Sequence, residues 1–314
     1  MFGFLLVLPL MLIIITGNLL RRFGFYSDRD VKVLSKTLYW VILPPLMFRT
    51  VFLSGTEVLT QVNLLVAITL CYIVTIAVGW LSAAFIYHRG DRKRIAVSAF
   101  TAMRSNNVYL GFPVMFLAAG EVGLHNASTY LAVTMVSFQL LSIGAGEIAA
   151  SGRLSRSTVL GTLKKLALNP LIISVLLGLA VALTGLRALP KWLDEGLHLM
   201  GSAATAIGLL ALGGTLDLSS VRKVAGMLLH TWPDCLIKLL VNPLAAWLLL
   251  LLLPVPKPLM QATVMLTSMP CAVNCFIMAQ GMDMDAVYAA DLVAASTMLA
   301  SVSIPLWSAF LGLG

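Results

Sequence analysis

Three asparagines stand where amide chemistry could hold a guest molecule. Asn106 and Asn107 follow Arg104 in the stretch MRSNNVYLGFPVM, Met103–Met115, and Asn274 lies in MPCAVNCFIMAQG, Met269–Gly281. An asparagine side chain offers both a donor and an acceptor, and the planar fork of an arginine matches a carboxylate. Each stretch also carries helix breakers: Gly111 and Pro113 in the first, Pro270 in the second. Proline removes a backbone N–H and crowds the preceding turn, while glycine tolerates conformations that other residues resist. The chemistry this combination supports is reversible binding of an anion where two helices come apart. Bond-breaking chemistry has no matching set. No nucleophile stands with its base, no aspartates are paired, and no His-rich spacing suits a metal. Arg104 has a second reading of equal weight, as a side chain snorkelling from a helix end about ten residues beyond a basic loop.

The elements that must position these residues are membrane helices. The chain has 314 residues, of which 60% are hydrophobic and 11% charged, with a mean hydropathy of +0.97. Soluble domains carry about 25% charged residues, and apolar runs of about 20 residues mark helices that span lipid. The net charge of +8 comes from basic residues scattered among short loops, which suits membrane topology and excludes a nucleic-acid face. Cys71, Cys235, Cys271 and Cys275 all fall in apolar segments and read as small buried hydrophobes. The first apolar segment has its basic pair, Arg21 and Arg22, behind it rather than ahead of it, so it reads as a span and not as a cleavable leader.

Ten spans are expected: 2–20, 33–53, 63–87, 96–119, 124–148, 169–186, 197–216, 227–253, 259–281 and 286–313. Residues 1–149 form a first set of five, 150–168 a polar, basic linker, and 169–314 a second set of five. Alternating the loops places fifteen Lys and Arg on one side and three on the other. The positive-inside rule then puts the basic loops in the cytoplasm and both termini outside the cytoplasmic (inner) membrane. An odd number of spans per half means that duplicated halves are inverted relative to each other. The fourth and ninth spans share a mid-span proline, a Phe-containing run and then a glycine, so both are expected to break near the bilayer midplane. Freed N–H groups at half-helix starts would attract an anion there.

A charge at mid-membrane costs roughly 2.5–3.5 kcal/mol, so the remaining intramembrane charges need reasons. Asp234 and Lys238 are one turn apart and are expected to pair with each other, with proton coupling through Asp234 as the alternative. Asp291 is a further candidate for ion coupling, with no direction fixed by sequence. Arg49 reads as an interfacial anchor. Gly201, Ala204, Gly208 and Ala211 make a small-residue face for close helix packing. The Gly213–Gly214 pair reads as a loosened helix end or a hinge.

The residues also resemble a known family. NNVYLGFP fits the Asn-x4-Gly-x-Pro pattern of the auxin efflux carriers through Asn106, Gly111 and Pro113, and LNPLIISVLLGL, LIKLLVNP and MPCAVNCFIMAQG follow in the family's order. That resemblance implies an all-α membrane protein of ten helices in two inverted five-helix repeats, with crossing broken helices 4 and 9, as in bile-acid and sodium–proton carriers. It further implies a scaffold domain from helices 1, 2, 6 and 7 and a transport domain from helices 3–5 and 8–10. Plant members usually have a further proline where this chain has Cys275, and many have a long central loop. Their absence here resembles the bacterial branch of malonate and other organic-anion permeases. The expectation is a secondary transporter of a small organic anion working by alternating access, with Asn106, Asn107, Asn274 and Arg104 at the site. A ligand-binding membrane sensor is the alternative. No cofactor is expected beyond a coupling ion, H+ or Na+. The partners are the anion and the lipid bilayer, with no nucleic acid, and a homodimer is left open.

Overall fold

The computed structural model describes residues 2–54, 60–151, 160, 164, 167–168, 170–186, 188–215, 221–272 and 275–313. Among these residues the regular elements are helical. They are α1 (Phe2–Arg22), α2 (Asp28–Thr37), α3 (Leu43–Ser54), α4 (Val62–Ser82), α5 (Arg92–Thr101), α6 (Phe112–Ser151) and α7 (Pro170–Leu183). They continue as α8 (Lys191–Thr215), α9 (Val221–Leu236), α10 (Asn242–Leu252), α11 (Lys257–Thr267), α12 (Cys275–Gly281) and α13 (Ala286–Leu311). Six helical runs are long and apolar enough to cross a membrane: Arg29–Leu53, Val62–Tyr87, Asn107–Gly146, Lys191–Gly214, Val224–Leu252 and Ala286–Leu311. Their outer faces carry large exposed hydrophobics such as Leu229, Leu248, Leu252 and Leu306. A surface of that kind needs lipid around it. The chain is an all-α membrane protein. Most of the expected linker, 150–168, lies outside the described residues.

Three of these runs contain a widened π-turn that ends just before a proline. Leu38–Ile42 precedes Leu43–Pro44, Asn107–Gly111 precedes Phe112–Pro113, and Ile237–Val241 precedes Asn242–Pro243. A proline has no N–H to donate, and its ring clashes with the carbonyl four residues back. Widening the preceding turn moves that carbonyl aside, so the helix passes through the proline without ending. At these three prolines the helix continues. The full interruptions lie elsewhere, one of them at Pro270.

Close packing of α1 on α8 explains the glycines of both. A Cβ on Gly17 would run into the Leu210 carbonyl, and one on Gly213 into the Ile14 carbonyl. Asn18 Nδ2 donates to the Gly213 carbonyl at 3.2 Å and Arg21 to the Gly214 carbonyl at 2.6 Å. Gly213–Gly214 is thus a docking surface in the last turn of α8. On the small-residue face of α8, Gly201 takes Leu46 and Gly208 takes Leu38 and Tyr109. Arg49, expected as an interfacial anchor, also joins two helices. Its guanidinium grips Asp194 of α8 through two bonds, 2.7 and 3.1 Å, because the start of α8 brings a carboxylate within reach of the end of α3.

The long element α6 is two helices joined at Ala119–Gly120, where Gly120 takes φ +58° and ψ −143°. Such a φ is open to glycine and strained for other residues. After it the chain doubles back, so that Gln139 and Ser142 reach the level of Arg104.

Candidate functional site: two broken helices that pair

Helix α5 stops at Thr101 and helix α11 at Thr267, and beyond a two-residue turn each chain leaves helical geometry. The two non-helical pieces meet as an antiparallel bridge between Ser105 and Cys271. Asn106 N–H donates to the Pro270 carbonyl at 2.8 Å, and Ala272 N–H donates to the Arg104 carbonyl at 3.0 Å. Backbone that has left a helix inside lipid must find internal partners. Here each break supplies backbone partners for the other. Ser296 Oγ of α13 accepts from Cys271 N–H at 3.1 Å and completes the bridge.

The carbonyl of Thr267, at the end of α11, collects three donors. Lys238 Nζ reaches it at 2.9 Å, Asn242 Nδ2 at 3.0 Å and Ser105 Oγ at 3.2 Å. Lys238 also donates to Ser105 Oγ at 2.8 Å and is fully buried. A helix C-terminus carries a partial negative charge, and a cation placed on it is stabilising, more so away from water. Lys238 therefore answers the buried end of α11. The expected Asp234–Lys238 ion pair is not formed, because the π-turn Ile237–Val241 begins between them and each side chain meets a different cluster. Asp291 likewise turns to His230, 3.1 Å away, and not to the bridge.

Arg104 is 1% exposed, so it does not snorkel. Its guanidinium lies over the rings of Phe100 and Phe138, 5.2 and 4.8 Å to their centroids, and donates to Gln139 Oε1 at 2.9 Å and Ser142 Oγ at 2.8 Å. Asn106 caps the helical run that starts at Asn107, its Oδ1 accepting from Tyr109 N–H at 3.3 Å. Its Nδ2 and the Oδ1 of Asn107 are buried with no hydrogen-bond partner. Such groups cost about 1–3 kcal/mol each unless a ligand or water meets them. Asn274 lies outside the described residues. Pro270 sits within the second break, whereas the first break runs from Ala102 to Asn106, ahead of Gly111 and Pro113. Gly111 contributes space instead: a Cβ there would stand 2.6 Å from Cδ2 of Leu266, where the start of the second half-helix passes α11.

A cavity of about 690 Å³, lined by Arg49, Val108, Phe112, Glu121, His125 and His198 among others, opens against the half-helix that follows the first break. It lies between α1, α3 and α8 on one side and, on the other, both parts of α6 next to their joint at Ala119–Gly120. Its volume suits a small ligand, and its walls are apolar with a few polar groups. The sequence pattern of the family described as "Membrane transport protein" matches residues 151–308, half of the chain. This chain belongs to the membrane transport protein family. It is similar to a protein of Methanothermobacter thermautotrophicus named "Uncharacterized transporter", with 28% identity over 97% of both chains. It is also similar to a Rhizobium meliloti protein named "Putative malonate transporter", with 25% identity over 88% of this chain and 85% of that one. Family and relatives are transporters, not enzymes, and the chain is a multi-pass membrane transporter.

In this membrane transport protein, several polar residues escaped the reading of the sequence. Ser105, Thr267 and Ser296 hold the bridge, and Gln139 and Ser142 hold Arg104. Single hydroxyls in apolar helices are common, so their types gave no signal. Tyr87, Ser98 and Tyr288 gather around Asp234 from three separate helical runs. Only tertiary structure could assemble that set.

Proposed function

We propose that this transporter is a secondary carrier of a small organic anion, a carboxylate or dicarboxylate, moved across the cytoplasmic membrane by alternating access. The observation that carries the reading is the paired break: two interrupted helices bridged at Ser105 and Cys271, with unsatisfied amide atoms of Asn106 and Asn107 beside them. Discontinuous helices of this kind form the midplane sites of secondary transporters. The helical run from Asn107 aims N–H groups and a positive dipole end at the break, which favours negative charge. Malonate is the first candidate substrate, on the name of the Rhizobium meliloti relative.

The wider architecture of the proposal is ten membrane crossings in two inverted halves, with both termini outside. Helices α1–α3, α7 and α8 would form the scaffold, and α4–α6 and α9–α13 the moving domain. The glycine-mediated contact of α1 with α8 and the seating of α7 on α3 through Gly178 support the grouping of the scaffold. The cavity separates the two groups, and with the basic loops in the cytoplasm it would open outward. The coupling ion is H+ or Na+.

Purified protein in sealed vesicles tests this. Labelled malonate should accumulate in vesicles that contain the unaltered chain, and Asn106→Ala or Asn274→Ala should cut uptake at least tenfold while the protein stays folded and monodisperse. Uptake equal to that of empty vesicles would reject malonate as substrate. Unchanged uptake in both variants would reject the site.

A further inference from the structure

The carboxylate of Asp234 is 3% exposed and takes hydrogen bonds from three hydroxyls: Tyr87 at 2.6 Å on Oδ1, and Ser98 at 2.7 Å and Tyr288 at 2.6 Å on Oδ2. The fourth neighbour is His88, whose Nε2 lies 4.0 Å from Oδ2 and is buried with no hydrogen-bond partner. The ring of His88 packs edge-on against Tyr87 and Tyr288, 4.7 and 4.8 Å between centroids. A buried imidazole nitrogen aimed at a buried carboxylate, one short movement beyond bonding distance, is a place for one more proton.

The other charged groups facing the cluster are already matched. Arg94 of α5 lies 5.3 Å from the Tyr288 ring centroid and pairs with Asp285 at 3.0 Å and Asp91 at 3.5 Å. His230 of α9 pairs with Asp291 of α13 at 3.1 Å, and its carbonyl accepts from Tyr288 at 3.4 Å. Lys93 pairs with Asp283 at 2.7 Å. The thiol of Cys235, next to Asp234, bonds Thr231. His88 is thus the cation that Asp234 acquires within 4.0 Å among the described residues, and only when the ring is protonated.

The geometry points to a proton-binding site formed by His88 and Asp234, separate from the paired breaks, that couples transport to protons. The proton arrives from water at the turn Arg89–Gly90 and forms an N–H bond on the imidazole. Its positive charge draws the ring onto Oδ2, and the net charge of the cluster goes from −1 to 0. Burial holds His88 below the ordinary histidine pKa, with Asp234 opposing that effect, so the ring is neutral at pH 7 and loads on the more acidic side. The movement would be felt at the break. Ser98 lies on α5, which runs into the first interruption, and Asp234 lies one turn before Lys238, which holds Ser105 and Thr267.

Two measurements test this, the second resting on the carrier reading above. In purified protein with labelled histidines, His88→Gln identifies the His88 ring signal. Asp234→Asn should weaken proton affinity at His88 about tenfold, since a carboxylate at this distance favours the imidazolium. A His88 titration unchanged by Asp234→Asn would overturn the site, whatever the substrate. In vesicles, a pH gradient should stimulate malonate uptake by the unaltered chain, and His88→Gln and Asp234→Asn should each abolish that stimulation. Stimulation that survives in both folded variants would overturn the coupling. If the unaltered chain moves no malonate, the substrate reading fails and the ring titration still decides the proton site.

Discussion

Lys238 shows what a single residue can mean in this environment. A lone buried ammonium is costly, yet it is matched here by a carbonyl at a helix end and by a serine of the facing break. Because the cation answers the end dipole of α11, Lys238→Met should lower stability by about 1–2 kcal/mol. Thermal unfolding in detergent would read this. An unaltered transition would mean that Asn242 and Ser105 satisfy the Thr267 carbonyl by themselves. The type and depth of Lys238 were legible in the sequence. Its partner was not, since Asp234 at four residues' distance is the natural choice on a regular helix and the π-turn between them removes it.

Helical elements in this protein owe their shape to where glycine and proline fall, but not in the simplest sense. Pro44, Pro113 and Pro243 each follow a widened turn and leave the helix running, while Gly17, Gly111 and Gly213 mark close approaches. Glycine thus acts by absence of volume at these positions, which gives a clear contrast. Gly17→Val must push against the backbone of α8 and should cost about 1–3 kcal/mol or prevent assembly. Gly226→Ala, in α9 with open space around it, should be neutral or stabilise by about 0.5–1 kcal/mol. Comparing the melting of the two variants in one detergent checks this, and equal losses would remove the packing account of α1 on α8. The sequence announced a small-residue face on α8, which takes Leu46, Leu38 and Tyr109, but nothing in it paired Gly17 of α1 with the backbone at Leu210.

For the whole molecule, the cavity is where the two proposed domains part. Ser202 lines it and is exposed, so Ser202→Trp should fill space without disturbing a packed core. Malonate uptake should fall at least tenfold while the melting temperature stays within a degree or two, in line with about 0.5 kcal/mol or less for surface changes. Normal flux through a folded Ser202→Trp protein would show that the cavity is not on the path.

Hydrophobicity, charge asymmetry and the placement of polar residues between breakers are local properties of the chain. They were enough to determine a helical membrane protein with interrupted segments near Asn106 and Pro270. Which backbone atoms would meet was not local. The bridge joins Ser105 to Cys271 across 166 positions, and the hydroxyls on Asp234 come from three distant runs. Lipid forces every stray N–H and carbonyl to find a partner, but it does not say which one. Only the folded arrangement of the helices made that choice.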